Sequence, residues 1–245
     1  MIISHSRKFI FVHIHKAGGT SAEKALDPYL AWNDLIVGGS VYGERIQGPY
    51  KKRFGLSKHS AVSEIESVCG SSYLDEYFVF AMVRHPLARL CSLYNFVAST
   101  VNNWAVRHNI PLTEVLRHIT PQAIKKTPGL AWLSTRIFLK TNGFSEFIRH
   151  EQAGQIPGLR SQVSVLSRKS VAQLAGTIFR LEDYPEWAGN LSDRLQLEFR
   201  LPHANKSALH LIAPEAVSAA DRLFVEDMFR DDYEAFGYCN RQSAR

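Results

Sequence analysis

The chain has 245 residues, of which 45% are hydrophobic and 21% are charged, as in ordinary globular proteins. Its 15 glycines and 10 prolines are too few for a collagen-like or Pro/Gly-rich disordered protein. The net charge of +6 favours anionic partners, which include phosphate esters, nucleic acid, acidic glycans and membrane surfaces.

Three short apolar runs organise the chain, and two of them lead directly into the start of a helix. All three are rich in β-branched or aromatic residues, which is typical of buried strands. The predicted strands are residues 9–14, 77–83 and 176–181, and the helices that follow them begin near Ser21, Pro86 and Tyr184.

The alternation of strands with helices predicts an α/β fold, in which a central, mostly parallel sheet is covered by helices on both faces. We expect residues 1–245 to form a single domain. Residues 99–160 are interrupted by several prolines but are otherwise helical in pattern, so they predict a helical insertion. Residues 33–60 are predicted to be an irregular connection, and residues 214–236 an amphipathic helix that closes the sheet.

The first strand ends at a turn whose composition is typical of an anion site. Backbone N–H groups at a helix start are unpaired, and the helix dipole favours negative charge there. Gly18 and Gly19 let the backbone approach an oxyanion, Thr20 and Ser21 add hydroxyl donors, and Lys16 adds a positive charge. The lysine precedes the glycines, so the spacing is not that of a Walker A motif. Tight packing of an ordinary strand–turn–helix is the alternative explanation of the glycines.

A second anion site is predicted where the second strand ends. Ligands of open α/β sheets bind at the carboxyl ends of the strands, and Arg84 stands at such an end. Arg89 and Ser92 are three residues apart on the following helix and share a face, so an arginine and a hydroxyl group can bind one phosphate. A surface ion pair for Arg84 and an ordinary exposed serine at Ser92 are the alternatives. Two such sites predict a ligand with two separated phosphate-like groups.

These two segments, residues 13–21 (HIHKAGGTS) and 80–94 (FAMVRHPLARLCSLY), resemble the carbohydrate sulfotransferases related to the heparan 2-O- and chondroitin-type enzymes, sulfotransferase family 2. The resemblance implies a P-loop-like three-layer sandwich and 3′-phosphoadenosine 5′-phosphosulfate (PAPS) as sulfuryl donor, with no metal. The first segment is similar to the family's 5′-phosphosulfate loop and the second to its 3′-phosphate site. Further similar segments are residues 58–61, 179–182, 201–207 and 232–238.

The resemblance also implies roles for individual residues in an in-line transfer to an acceptor hydroxyl group, most often that of a carbohydrate. Lys16 would offset charge on the departing phosphate, and His59 would take the proton from the acceptor. His15 stands where the family usually has proline, and it is the other candidate for the base. The donor-binding residues that the resemblance implies are Lys16, Ala17, Gly18, Gly19, Thr20, Ser21, Arg84, Ser92 and Lys206.

The acceptor side is less well defined by the sequence. Residues 99–160 match the family least and are expected to face the acceptor, as are Arg160 and Gln162. The predicted partners are a carbohydrate or another hydroxyl-bearing acceptor, without nucleic acid and without a membrane span. Three widely spaced cysteines form neither a disulfide framework nor a CxxC pattern, so we expect a bacterial cytoplasmic enzyme, or a Golgi enzyme whose anchor has been removed.

Two other function classes stay open from the sequence alone. A P-loop-like kinase would share the strand–loop–helix, but it needs Gly-Lys-Ser/Thr and an acidic residue for magnesium. The chain has Arg84 where that acid would be expected. A non-enzymatic binder of acidic polymers is compatible with the positive charge, although no nucleic-acid motif is present.

Overall fold

The structure is a computed structural model that describes residues 1–171, 173–202 and 209–238. The chain divides into two compact units. The first comprises residues 1–85 with the described parts of 161–205 and 231–245, and the second comprises residues 86–160 with the described part of 206–230. The predicted helical insertion, residues 99–160, falls within the second unit.

The first unit contains a mixed α/β sheet. Its strands in the described residues are β1 (Ile2–Ser4), β2 (Phe9–Val12), β3 (Leu35–Ile36), β4 (Phe78–Val83) and β5 (Thr177–Arg180), in the order β3-β1-β2-β4-β5. Strands β2, β4 and β5 are parallel, whereas β1 is antiparallel to both β2 and β3. Four of these five strands therefore point the same way, and the predicted α/β fold with a mostly parallel sheet is confirmed. The finer P-loop-like assignment stays a prediction.

The helices surround this sheet and build the second unit. In chain order they are α1 (Gly19–Leu26), α2 (Val41–Phe54), α3 (Val62–Cys69), α4 (Ser71–Glu76), α5 (Pro86–His108), α6 (Val115–His118), α7 (Pro121–Lys126), α8 (Leu133–Lys140), α9 (Phe144–Arg149), α10 (Gln162–Leu166), α11 (Tyr184–Leu195), α12 (Ala219–Met228) and α13 (Arg230–Ala235). Helices α1–α4, α10 and α11 belong to the first unit, and α5–α9 and α12 to the second.

Strand β2 shows why the sheet is covered on both faces. Successive side chains of a strand point to opposite faces, and all four residues of β2 are apolar and fully buried. Phe9 and Phe11 pack with residues of α1 and α11, whereas Ile10 and Val12 pack with residues of α3 and α10. Each fully buried side chain of this size stabilises the fold by about 1.5–3 kcal/mol. The result is helix, sheet and helix in three layers.

The prediction of an irregular connection at residues 33–60 was wrong, because this segment contains β3 and the 14-residue α2. The helix lacks an apolar face that a periodicity argument could find, since only Gly43 is buried and Pro49 lies inside it. Gly43 fits because a Cβ there would lie 2.3 Å from the carbonyl oxygen of Gly38. Ser40 caps the helix by accepting the Gly43 N–H at 3.0 Å.

The C-terminal segment 214–236, predicted as one amphipathic helix, contains two helices, α12 and α13. Helix α12 packs on α5 within the second unit, whereas residues 231–236 belong to the first unit, where Phe236 packs in the core with residues of the sheet. The segment before α12 is held by Asn95 of α5, whose side chain donates to the carbonyl of Ile212 at 2.8 Å and accepts the N–H of Leu211 at 2.9 Å.

Candidate active site

The β2–α1 loop and the end of β4 meet at the carboxyl edge of the sheet, as the parallel pairing of β2 and β4 requires. Arg84 follows the last residue of β4, and its Nη1 donates a hydrogen bond to the carbonyl oxygen of Lys16 at 3.4 Å. Both side chains are half-buried. The structure therefore brings together the two cations that the sequence assigned to two anion sites.

Lys16 has an unusual backbone conformation and a lowered side-chain pKa. Its φ of 62° lies in the left-handed region, which costs a non-glycine residue about 1–2 kcal/mol. Burial, and to a smaller extent the positive charge of Arg84, lower the pKa of Lys16 to about 8. A negatively charged ligand would oppose this shift, because it favours the protonated form. The loop is therefore prepared electrostatically for an anion.

The start of α1 leaves few backbone donors for a ligand. Ser21 and Ala22 both donate their N–H groups to the carbonyl of Gly18, at 2.9 and 3.2 Å. Ala17 donates its N–H to the carbonyl of Ile14 at 3.4 Å. The N–H groups of Gly19 and Thr20 precede the first intrahelical hydrogen bonds and point out of the helix start. Of the predicted backbone cradle, Ala17 and Ser21 thus use their N–H groups within the chain, whereas Ser21 can still contribute its hydroxyl group.

Glycine is required at Gly18 and at Gly19 for two different structural reasons. Gly18 has a φ of 81°, which favours glycine. At Gly19 a Cβ would lie 2.1 Å from Cδ2 of His13, so the imidazole ring behind the loop leaves no room for a side chain. The packing explanation therefore holds for Gly19 and is compatible with a close approach of a ligand from the other side.

A buried charged network lies behind the loop. The carboxylate of Glu23 accepts hydrogen bonds from Nδ1 of His13 and from the amine of Met1, both at 2.7 Å. Lys58 places its Nζ 3.6 Å from the other carboxylate oxygen. Burial alone would raise the pKa of Glu23, but His13, the amine and Lys58 outweigh it and lower the pKa. Burial lowers the pKa of His13, which keeps it a neutral donor to the carboxylate.

His59 adjoins this network at the base of the loop. Its Nδ1 lies 3.0 Å from the carbonyl oxygen of His13. Because a carbonyl only accepts, Nδ1 carries the proton and Nε2 is the nitrogen with the lone pair. Burial lowers the pKa of His59, and the neighbouring His13 and His15 lower it further. His59 is therefore neutral at pH 7, as a proton acceptor has to be.

His13 and His15 both contact the ring of His59. The His15 ring stacks on it at a centroid distance of 3.4 Å, and the His13 ring meets it edge-on at 4.5 Å. The sequence had singled out His15 and His59 but not His13. The signal was present, because residues i and i+2 of an extended segment lie on the same side.

Gln162 and Asp232 are polar residues whose complete burial the sequence did not predict. Gln162 is fully buried, and its side chain hydrogen-bonds both the N–H and the carbonyl of Arg84. It supports the backbone of Arg84, and its place on the acceptor side stays a prediction. Asp232 is also fully buried and accepts the N–H groups of Gln162 and Val163, each at 3.0 Å. Nothing in the sequence pattern marks these polar residues as buried.

A second cluster lies beside Arg84, at the end of β5. Glu182 accepts the N–H of His85 at 2.8 Å and the hydroxyl group of Tyr238 at 3.0 Å. Arg180 pairs with Asp183 at 2.5 Å. Arg180 and Glu182 therefore each have an internal partner.

Two further residues of the predicted anion sites, Arg89 and Ser92, belong to the second unit, and a third is not described. Ser92 is half-buried on α5, in the second unit, and its pairing with Arg84 stays a prediction. Arg89 is buried, donates to the carbonyl of Arg160 at 2.9 Å and lies over the ring of Phe229, so it serves packing. Lys206 lies outside the described residues.

The described part of the chain contains neither a cluster of metal-ligating side chains nor a helix that could cross a membrane. Its His, Cys, Asp and Glu side chains form no group of three or more that could hold a metal ion. None of its helices combines the length and the apolar character needed to cross a membrane.

Comparison with known proteins adds an independent finding. The model of the sulfotransferase family matches residues 1–156, which is more than half of the chain. The matched range includes the β2–α1 loop, His59 and Arg84. Neither the curated proteins nor the solved structures contained a match to the chain.

Proposed function

Because the chain belongs to the sulfotransferase family, we propose that it transfers a sulfuryl group from PAPS to a hydroxyl group of a carbohydrate acceptor. The observation that carries the proposal is the contact between Lys16 and Arg84 at the carboxyl edge of the sheet. Two cations at this edge suit a ligand with two anionic groups.

The residues present fit the donor. The N–H groups of Gly19 and Thr20 and the positive end of α1 suit the 5′-phosphate, and the guanidinium of Arg84 suits the 3′-phosphate. Burial and the positive charge of Arg84 lower the pKa of Lys16 to about 8, and a bound anion would raise it again. Ser92 and Lys206 stay predicted donor ligands.

The mechanism follows from these groups. PAPS supplies an activated sulfuryl group when it is bound. Lys16 offsets the negative charge that develops on the phosphate side. His59 accepts the proton of the acceptor hydroxyl group at Nε2, while its Nδ1–H stays bonded to the carbonyl of His13. As in phosphoryl transfer, positioning and charge stabilisation account for most of the catalysis.

The first test is calorimetric titration with 3′-phosphoadenosine 5′-phosphate, the desulfated donor product. We expect micromolar binding by the wild type and a loss of about tenfold or more in Arg84→Ala, the scale of a lost charge-assisted hydrogen bond. Arg107→Ala is the matched control, because Arg107 is exposed at the end of α5. Binding of magnesium-ATP without binding of the desulfated product would instead support a kinase.

The second test is transfer itself. The enzyme is incubated with PAPS and a panel of oligosaccharides, and the acceptors are weighed by mass spectrometry. A mass gain of one sulfuryl group on a sugar supports the full proposal. Donor binding combined with transfer to a non-carbohydrate hydroxyl group would retain the donor and reject the acceptor class.

A further inference from the structure

The face of the His59 ring is covered by another imidazole. His15 and His59 stack with centroids 3.4 Å apart and planes inclined by 25°. Together with the Nδ1 contact to the His13 carbonyl at 3.0 Å and the edge contact of the His13 ring, the stack holds His59 from three directions. The carbonyl fixes which nitrogen carries the proton, and the two rings fix the plane in which Nε2 points.

The position of His15 in the chain links its contact with His59 to the conformation of the β2–α1 loop. His15 lies directly before Lys16, whose left-handed φ of 62° and carbonyl contact with Arg84 fix the course of the loop. The loop that presents the cation to the donor therefore also presents the ring that covers His59. A displacement of the loop would change both at once.

We propose that His15 is a positioning residue, which orients the His59 imidazole for proton acceptance by stacking on its face. This inference rests on the proposed sulfotransferase function, in which His59 is the base. It assigns to His15 no proton transfer and no contact with the donor. His15 contributes through a planar ring that stacks on His59, so another planar side chain at position 15 can replace the imidazole.

Kinetics with two substitutions test this assignment. In His15→Ala we expect kcat to fall roughly three- to tenfold, the scale of a lost aromatic contact. The KM for PAPS and the affinity for the desulfated product stay within twofold of the wild type. In His15→Phe the stack is retained and most of the lost turnover is recovered. His5→Ala is the control, because His5 is an exposed histidine in the turn between β1 and β2, at the amino end of β2 and away from the loop.

Three kinetic outcomes would overturn the proposal. Wild-type turnover in His15→Ala would show that the stack is dispensable. An equal loss in His15→Phe and His15→Ala would assign the effect to the chemistry of the imidazole. A parallel loss of product affinity would make His15 a donor ligand.

A spectroscopic measurement tests the same inference without any turnover. In protein with isotope-labelled histidine we expect the His59 ring, assigned by the signal lost in His59→Gln, to be ordered in the wild type and in His15→Phe, as measured by relaxation of the ring nuclei. His15→Ala should show a more mobile His59 ring with the same Nδ1–H tautomer, because the carbonyl of His13 fixes the tautomer, and an equally ordered ring there would overturn the proposal. If the wild type binds no desulfated product, the proposed function fails, whereas the relaxation measurement still decides whether His15 orients His59.

Discussion

Gln162 and Arg84 are joined as two neighbouring β-strand residues would be. The side-chain oxygen of Gln162 accepts the N–H of Arg84 at 2.9 Å, and its side-chain nitrogen donates to the carbonyl of Arg84 at 2.9 Å. Arg84 follows the last residue of β4, so a buried amide continues the backbone pairing where the strand itself ends. The direction in which the guanidinium leaves the sheet depends on this pair.

The substitution Gln162→Ala removes both hydrogen bonds to the part-buried backbone of Arg84. We expect the free energy of unfolding to fall by about 1–3 kcal/mol, as measured by urea denaturation. The affinity for the desulfated product should fall as well, because Arg84 loses its orientation. Ser164→Ala is the matched control on α10, since Ser164 is exposed. Unchanged affinity in Gln162→Ala would show that Arg84 is oriented by other contacts.

The lowered pKa of Lys16 predicts a pH-dependent affinity for the donor product. With a pKa of about 8, Lys16 in the free enzyme loses its charge as the pH rises from 7 to 9, whereas the phosphates stay ionised because their second pKa is about 6. Affinity should therefore fall by about tenfold for each pH unit above the pKa. The measurement is calorimetric titration at each pH.

Lys16→Arg supplies the control for this titration. An arginine stays charged throughout the range, so affinity in this variant should not change between pH 7 and 9. A wild-type affinity that is equally constant would mean that the Lys16 charge does not contribute to binding.

The state of His59 predicts both a mutant effect and a pH profile. His59→Ala should lower turnover by about 10²-fold or more while the desulfated product still binds with wild-type affinity. Because burial lowers the pKa of His59, the base stays neutral as the pH falls below 6.5, and the acid limb of the kcat/KM profile should lie below that value. Near-normal turnover in His59→Ala would assign the base to another group.

The sequence predicted those parts of the site that follow from the order of strands and helices along the chain. The carboxyl ends of β2 and β4 had to share an edge, and this alone brings Lys16 and Arg84 together. The pairing of Gln162 with Arg84 spans 78 positions, and it depends on a buried amide that no periodic pattern reveals. Helix α2 was missed for a related reason, since most of its residues are exposed and it has no apolar stripe.

The space around Gly19 is too small for a larger side chain, which gives a test of the packing behind the loop. A Cβ at this position would lie 2.1 Å from Cδ2 of His13, and His13 has no room to move because Glu23 holds its Nδ1 at 2.7 Å. Gly19→Ala should therefore lower the free energy of unfolding by about 1–3 kcal/mol, the range for overpacking. It should also lower turnover, because His13 supports His59.

Gly189→Ala is the matched control for this substitution. Gly189 lies inside α11, and nothing lies within 4 Å of the Cβ that alanine would add. Alanine favours a helix over glycine by about 0.5–1 kcal/mol, so this variant should be more stable than the wild type and equally active. Both variants are compared by urea denaturation and by turnover. Equal stability of Gly19→Ala and the wild type would show that the imidazole of His13 can move away. The inference that the packing behind the loop is rigid would then be wrong.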